Sequence, residues 1–255
     1  MQPHRSAYRL HPNIQDEAAF QQRLKEVSTL YAQAPALHKQ GIRVGSSDEM
    51  TGIQALERLH PDLPMEPGKI QRREFECIRH GTQSLIATWD VAQGKILAPL
   101  VNPTRTEADF CEHLNAVIDT DPHASWIFVM DQLNTHQSEM LVRLVAQRCG
   151  MTGDLGVKGE SGILQSMPTR AQFLEDPRHR VRILYTPKHT SWINQVECWF
   201  SILVRKLLRR ASFSSTEQLK QRLLEFIDYF NQTMAKPFKW QYQGKSIKLQ
   251  GSNTS

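Results

Sequence analysis

The chain has 255 residues, 40% of them hydrophobic, and a formal net charge of +5. Such a length and apolar content fill the core of one large domain or two small ones, which excludes a disordered chain. Apolar runs such as Trp126 to Met130 fall far short of the roughly 20 residues of a membrane span, and the polar start excludes a signal-peptide core, so a cytoplasmic protein with no membrane partner is expected.

In chain order, Phe20, Leu24, Val27, Tyr31 and Ala34 repeat at helical spacing, with Asp16 and Glu17 in the first turn. This predicts a lead-in helix within 1–40 that ends before Pro35. Ile42 to Asp48 reads as a strand that places Asp48 at its end, followed by a loop from His60 to Gly68. Arg72 to Arg79 and Thr82 to Asp90 read as strands joined around His80 and Gly81, and Lys95 to Val101 follows a turn at Gln93 and Gly94. Connections this short make neighbouring strands antiparallel. Thr104 and Glu107 offer a capping box for a helix carrying Phe110, Leu114, Val117 and Ile118.

Ser125 to Asp131 has the continuous apolar pattern of a strand buried on both faces. A helix with Met140, Leu141, Leu144 and Val145 inward should follow, ending at Gly150. The Gly-rich, polar stretch at about 151–180 has no firm periodicity and reads as a surface insertion. Val181 to Tyr185 is a short strand. Helices over Ile193 to Arg210 and Ser215 to Asn231 close the chain, the second with Ser214 and Glu217 as a capping box. The order predicts an α/β fold with a mixed central sheet flanked by helices, in the manner of ribonuclease H-like domains. It occupies 41–245, and 246–255 is a tail. The cysteines Cys77, Cys111, Cys149 and Cys198 are far apart with no C-x-x-C pair, so neither a zinc module nor a disulfide framework is indicated.

Charge is concentrated late in the chain. Arg180, Arg182, Lys188, Arg205, Lys206, Arg209 and Arg210 surround the single acid Glu197, which suits a surface that phosphates approach but equally a solvated helix face. Asp48 and Asp131 terminate hydrophobic strands, where two acids side by side would repel unless a cation joined them. Glu197 shares a helix face with Ile193, Phe200 and Val204, so an acid interrupts an apolar stripe and needs a partner. That partner is either a metal shared with Asp48 and Asp131 or an arginine such as Arg205. Oxygen donors of this kind suit Mg²⁺ in two-metal phosphoryl transfer.

Ser47-Asp48-Glu49, Met130-Asp131-Gln132-Leu133-Asn134-Thr135-His136 and the run from Tyr185 through Thr190-Ser191-Trp192-Ile193-Asn194-Gln195-Val196-Glu197 to Phe200 resemble the three acidic motifs of DDE transposases of bacterial insertion sequences. That group is distantly related to the mariner elements, and the resemblance covers about 40–245. It implies a ribonuclease H-like fold, with Asp48, Asp131 and Glu197 as catalytic, metal-binding acids for two Mg²⁺ or Mn²⁺ ions. It also implies cleavage at transposon ends followed by transfer of the freed 3′-hydroxyl into target DNA. Double-stranded DNA is the implied partner and a homodimer the implied active assembly. Asn134, His136, Lys188, His189, Asn194, Arg205 and Arg209 are the candidate DNA contacts, with loop or surface roles as the plainer alternative. Trp192 and Trp199 read as core residues, and Glu49 as either a support to the acids or an exposed residue.

The separation of Asp131 from Glu197 exceeds that of compact mariner-like members, the excess lying in the insertion. Members of the family carry an N-terminal helix-turn-helix region, whereas a single lead-in helix is expected before Asp48. Two other functions fit the same fold: a stand-alone ribonuclease or resolvase, and a DNA-binding transposon remnant without activity.

Overall fold

The computed structural model describes residues 16–60, 65–70, 76–188 and 190–242. Helix α1 (Glu17–Lys39) starts where the Asp16 side chain accepts a hydrogen bond from the Ala19 N–H at 2.9 Å. Contrary to the sequence reading, the helix runs through Pro35. Ala34 is buried, and beyond the proline Leu37 still packs against the sheet, which outweighs the one backbone hydrogen bond that proline removes.

Five strands follow: β1 (Ile42–Arg58), β2 (Cys77–Asp90), β3 (Lys95–Asn102), β4 (Ser125–Met130) and β5 (Val181–Tyr185), side by side in the order β3-β2-β1-β4-β5. The first three form an antiparallel meander, while β4 lies parallel to both β1 and β5. Parallel neighbours need crossovers, which are supplied by α2 (Glu107–Asp119) before β4 and by α3 (Glu139–Arg148) and α4 (Met167–Leu174) after it. The result is the mixed α/β sheet of the ribonuclease H-like architecture.

The strands joined around His80 and Gly81 are one continuous strand, because β1 runs alongside as far as Arg58 opposite Cys77 and a register shift between Gln54 and Leu56 absorbs the irregularity. Residues 61–64 of the expected loop and 72–75 of the expected strand lie outside the described residues, as does the tail at 246–255. The cap of α2 is Thr106 with Asp109, not Thr104 with Glu107, and Thr104 instead donates to Asp109.

Each face of the sheet carries its own core. On one side Trp126, Phe128, Met130, Ile183 and Tyr185 meet α2, α3 and α4. On the other Val44, Trp89, Ile127 and Val129 meet α1, α5 (Gln195–Leu203) and α6 (Thr216–Thr233). Strand alternation sends Phe128 and Val129 to opposite cores, so β4 is buried on both sides, and truncating Phe128 to alanine would cost about 3–5 kcal/mol.

The 151–180 stretch, expected to be a surface insertion, is exposed over most of 151–162 but from Ile163 onward packs into the first of these cores. Leu164 and Leu174 are wholly buried, and buried Arg170 donates from Nε to the Gln137 carbonyl at 2.6 Å and from Nη1 to the Leu164 carbonyl at 3.0 Å. Met140 on α3 is exposed instead of inward. The expected helix over Ile193 to Arg210 divides into a 3₁₀ turn (Ser191–Ile193), α5 and a π-helical turn (Val204–Leu208). Helix α6 is capped by Ser215, which accepts from the Gln218 N–H, not by Ser214 and Glu217. A C-terminal strap crosses the second core: Phe238 stacks on Trp89 at 4.5 Å, Trp240 meets Tyr31 edge-on and Tyr242 meets Trp192 edge-on.

Candidate active site

Asp48 lies in the interior of β1, not at its end. The parallel pairing of β1 with β4 stops at Ser46 opposite Val129, while β1 continues along β2, with Asp48 opposite Ala87. Asp48 and Asp131 each stand two residues past the last parallel pair. They are therefore level on adjacent strand paths, whose usual spacing is about 4.8 Å. Past Ser46, Asp48 keeps its β2 neighbour but has no β4 partner in the ladder.

Asp48 is 9% exposed. Its carboxyl accepts from the Glu49 N–H at 2.8 Å and from Asn194 Nδ2 at 3.0 Å. Asn194 stands at the N-cap of α5 but makes no capping bond; it donates also to the Ser47 carbonyl at 3.1 Å and accepts from the Ser46 hydroxyl. Ser46 in turn accepts from the Val196 N–H at 3.0 Å, so β1 and the start of α5 are locked together just where Asp48 and Glu197 emerge.

Burial pushes Asp48 up to about 7, and the Asp131 charge adds to the rise. Burial likewise raises Glu197, again with the Asp131 charge, against a hydrogen bond with Asp48 that lowers it. The three acids are thus close enough to act on one another. Among the described residues Glu197 enters no ion pair, and neither does Arg205, which removes the arginine alternative.

Asp131 has a different environment. Although burial works against it, the His136 hydrogen bond and charge, with the Leu133 N–H, hold its carboxyl below the usual range. His136 Nδ1 is 2.7 Å from Asp131 Oδ1, and Nε2 is 3.2 Å from Glu49 Oε2, an ion-pair distance too bent to count as a hydrogen bond. Burial disfavours the imidazolium, but the Asp131 hydrogen bond and the charges of Glu49 and Asp131 raise His136 to about 10. Among the described residues no three His, Cys, Asp or Glu side chains stand around one point as metal ligands do. The donor chemistry nevertheless fits a divalent cation: oxygen ligands only, two of them destabilised by burial and by the Asp131 charge.

The family model that matches this chain is that of the DDE superfamily endonucleases, over residues 43–220, a span that includes Asp48, Asp131 and Glu197. The chain belongs to this family. Three solved structures share the fold of this DDE endonuclease at 14% identity: the Mos1 mariner paired-end complex with Mn (TM-score 0.52), the Mos1 transposase paired-end complex with left transposon end (0.51) and a pre-cleavage Mos1 transpososome (0.52). Each alignment covers 88% of this chain but 59% of the Mos1 chain, so the DDE endonuclease spans less than two thirds of the length of these relatives. No curated protein matches it. Among its described residues no helix is long and apolar enough to cross a membrane.

The candidate DNA contacts divide. Asn134, Lys188, Arg205 and Arg209 are exposed, and the two arginines line a groove with Glu197, Thr51 and Ser201. His136 and Asn194 are buried at 0% and 1% exposure, so the expectation that they touch DNA is corrected: they hold the acids instead. His189 lies outside the described residues. Trp199 is core, but Trp192 is 46% exposed, contrary to expectation. Sequence reasoning missed the Ser46 link and the pairing of Glu49 with His136. The five-residue step from Asp131 to His136 was the available signal for the second, because the 3₁₀ turn (Asn134–Gln137) folds His136 back onto Asp131.

Proposed function

We propose that this chain is the catalytic part of a DNA transposase, hydrolysing a phosphodiester at a transposon end and joining the freed 3′-hydroxyl to target DNA. The observation that carries the reading is that Asp48 and Asp131 stand level on neighbouring strand paths, with Glu197 of α5 close enough to hydrogen-bond Asp48, in a DDE endonuclease. Relatives of the same fold are transposases held with transposon-end DNA, one of them with Mn.

Asp48, Asp131 and Glu197 are the residues to hold two Mg²⁺ or Mn²⁺ ions. Bound there, the ions supply activation of an attacking oxygen and stabilisation of the departing one. The protein does the rest by placement. Asn194 and Ser46 fix Asp48 relative to α5, so that two acids from distant parts of the chain keep one geometry. Arg205 and Arg209 beside Glu197, with Lys188 and Asn134, face the duplex and take its phosphates; such contacts position DNA without reading sequence. Transposon ends and target DNA are the partners, and a homodimer would bring two ends together.

The test is nicking of duplex DNA by the purified chain with Mg²⁺ or Mn²⁺, beside Asp131→Asn and Glu197→Gln, which keep shape and lose charge. Metal-dependent cleavage should fall in both variants by more than the roughly 10–100-fold that loss of an outer-shell partner costs. Cleavage that persists in either removes that residue from the mechanism.

A further inference from the structure

We propose that His136, anchored by Glu49, is a positioning residue that fixes which oxygen of Asp131 is offered to a metal. The inference rests on the metal-binding reading above. Asp131 follows the last residue of β4, so its backbone is no longer held by strand pairing. Its side chain is 44% exposed and would turn freely without a support. Two donors converge on one oxygen: His136 Nδ1 at 2.7 Å and the Leu133 N–H at 3.0 Å both reach Oδ1. Among the described residues Oδ2 accepts nothing, and it is the oxygen left to face the site.

The support is itself rigid. The His136 side chain is fully buried, its ring lies 4.3 Å from that of Phe110, and its carbonyl accepts from the Tyr185 hydroxyl at 2.6 Å. Strand alternation explains the anchor: Glu49 follows Asp48 on β1, so its side chain leaves by the opposite face, where α2 and the turn after β4 lie. There its carboxylate, 1% exposed, meets His136 Nε2 at 3.2 Å. One strand thus supplies the first acid on one face and the anchor of the second acid on the other. Outer partners of metal-binding groups act in this way, setting ligand orientation through a second hydrogen bond.

Two substitutions at one position separate positioning from simple burial. His136→Asn puts an amide nitrogen where Nδ1 stands and keeps the bond to Asp131. His136→Gln puts its amide near Nε2, keeps the reach to Glu49 and loses Asp131. Binding of Mn²⁺ to the full chain is followed by loss of the free-ion electron paramagnetic resonance signal, with thermal melting in metal-free buffer as the check on folding. The expected result is that His136→Asn stays within a few-fold of the parent, while His136→Gln binds Mn²⁺ roughly 10–100-fold more weakly. Equal affinity in both variants, whether high or low, overturns the proposal. If His136→Asn does not fold because Glu49 is left unpaired, the double variant Glu49→Gln with His136→Asn replaces it under the same criterion. Failure of the underlying reading is distinct: the parent chain, or Asp131→Asn, would then show Mn²⁺ binding that is respectively absent or unchanged, and either result removes this proposal as well.

Discussion

Acidification should weaken this fold through one buried histidine on α2. His113 on α2 is wholly buried; its Nδ1 donates to the Ala98 carbonyl at 2.8 Å, and its Nε2 accepts from the Thr88 hydroxyl at 2.7 Å. Thr88 in turn lies 2.8 Å from the Ser47 hydroxyl. The Ala98 carbonyl is turned out of the sheet by a register shift in the β2–β3 pairing, where Ala98 itself has φ of 39°. Both ring nitrogens are therefore used by the neutral form. Burial lowers His113 from 6.5 to about 4. The unfolded chain then takes up the proton first, so the stability that neutral His113 provides is complete above pH 6.5 and is lost as pH falls towards 4. The full loss is about 3 kcal/mol, and the part between pH 7 and pH 5 is about 2 kcal/mol. Urea unfolding at those two pH values, on the parent and on His113→Gln, isolates this contribution, because the other titrating groups cancel in the difference. The parent should lose about 2 kcal/mol more than the variant. An equal loss in both proteins would refute the argument that His113 is held neutral.

Two further substitutions test the packing. Gly94 has φ of 69°, and a Cβ there would stand 2.1 Å from the Lys236 carbonyl carbon, whereas Gly150 has the same φ of 69° with nothing within 4 Å. Gly94→Ala should cost well over 1 kcal/mol and lower the melting temperature further than Gly150→Ala, in which only backbone strain is added; equal melting temperatures would show that the C-terminal strap is not held against that turn. Arg170→Met leaves the Gln137 and Leu164 carbonyls without their donor, at about 1–3 kcal/mol for each buried group. Thermal melting close to that of the parent would mean that the 151–180 segment is not anchored through Arg170.

The sequence was most legible where one periodicity dominated. The unbroken apolar run of β4 announced a strand buried on both faces, and Leu219, Leu223, Ile227 and Phe230 announced the inner face of α6. Asp48 and Asp131 stood out as carboxylates closing apolar runs, and Glu197 as an acid within an apolar helical stripe. What escaped was set by tertiary contacts. Pro35 is overridden by burial on either side of it, and Asp48 lies within a longer strand because β2 extends the ladder past the last β4 pair. The 151–180 stretch buries Leu164, Leu174 and Arg170 without a repeating pattern, since its glycines make turns instead of a regular face. His136 and Asn194 look like surface groups by residue type, and only the fold reveals that their hydrogen bonds are spent on the acids.

The parallel pairing of β1 with β4 has a consequence for biosynthesis. The antiparallel meander is local and can form as soon as its three strands have been made. The β1–β4 contact instead closes a long stretch of chain, and the bond from Asn194 to Asp48 spans 146 residues. Long-range closures of this kind come late in folding. A nascent chain that stops before α5 therefore has most of its sheet, with Asp48 and Asp131, but not Glu197. On the function proposed above, the separation of the three acids along the chain would leave the site incomplete until α5 has been made.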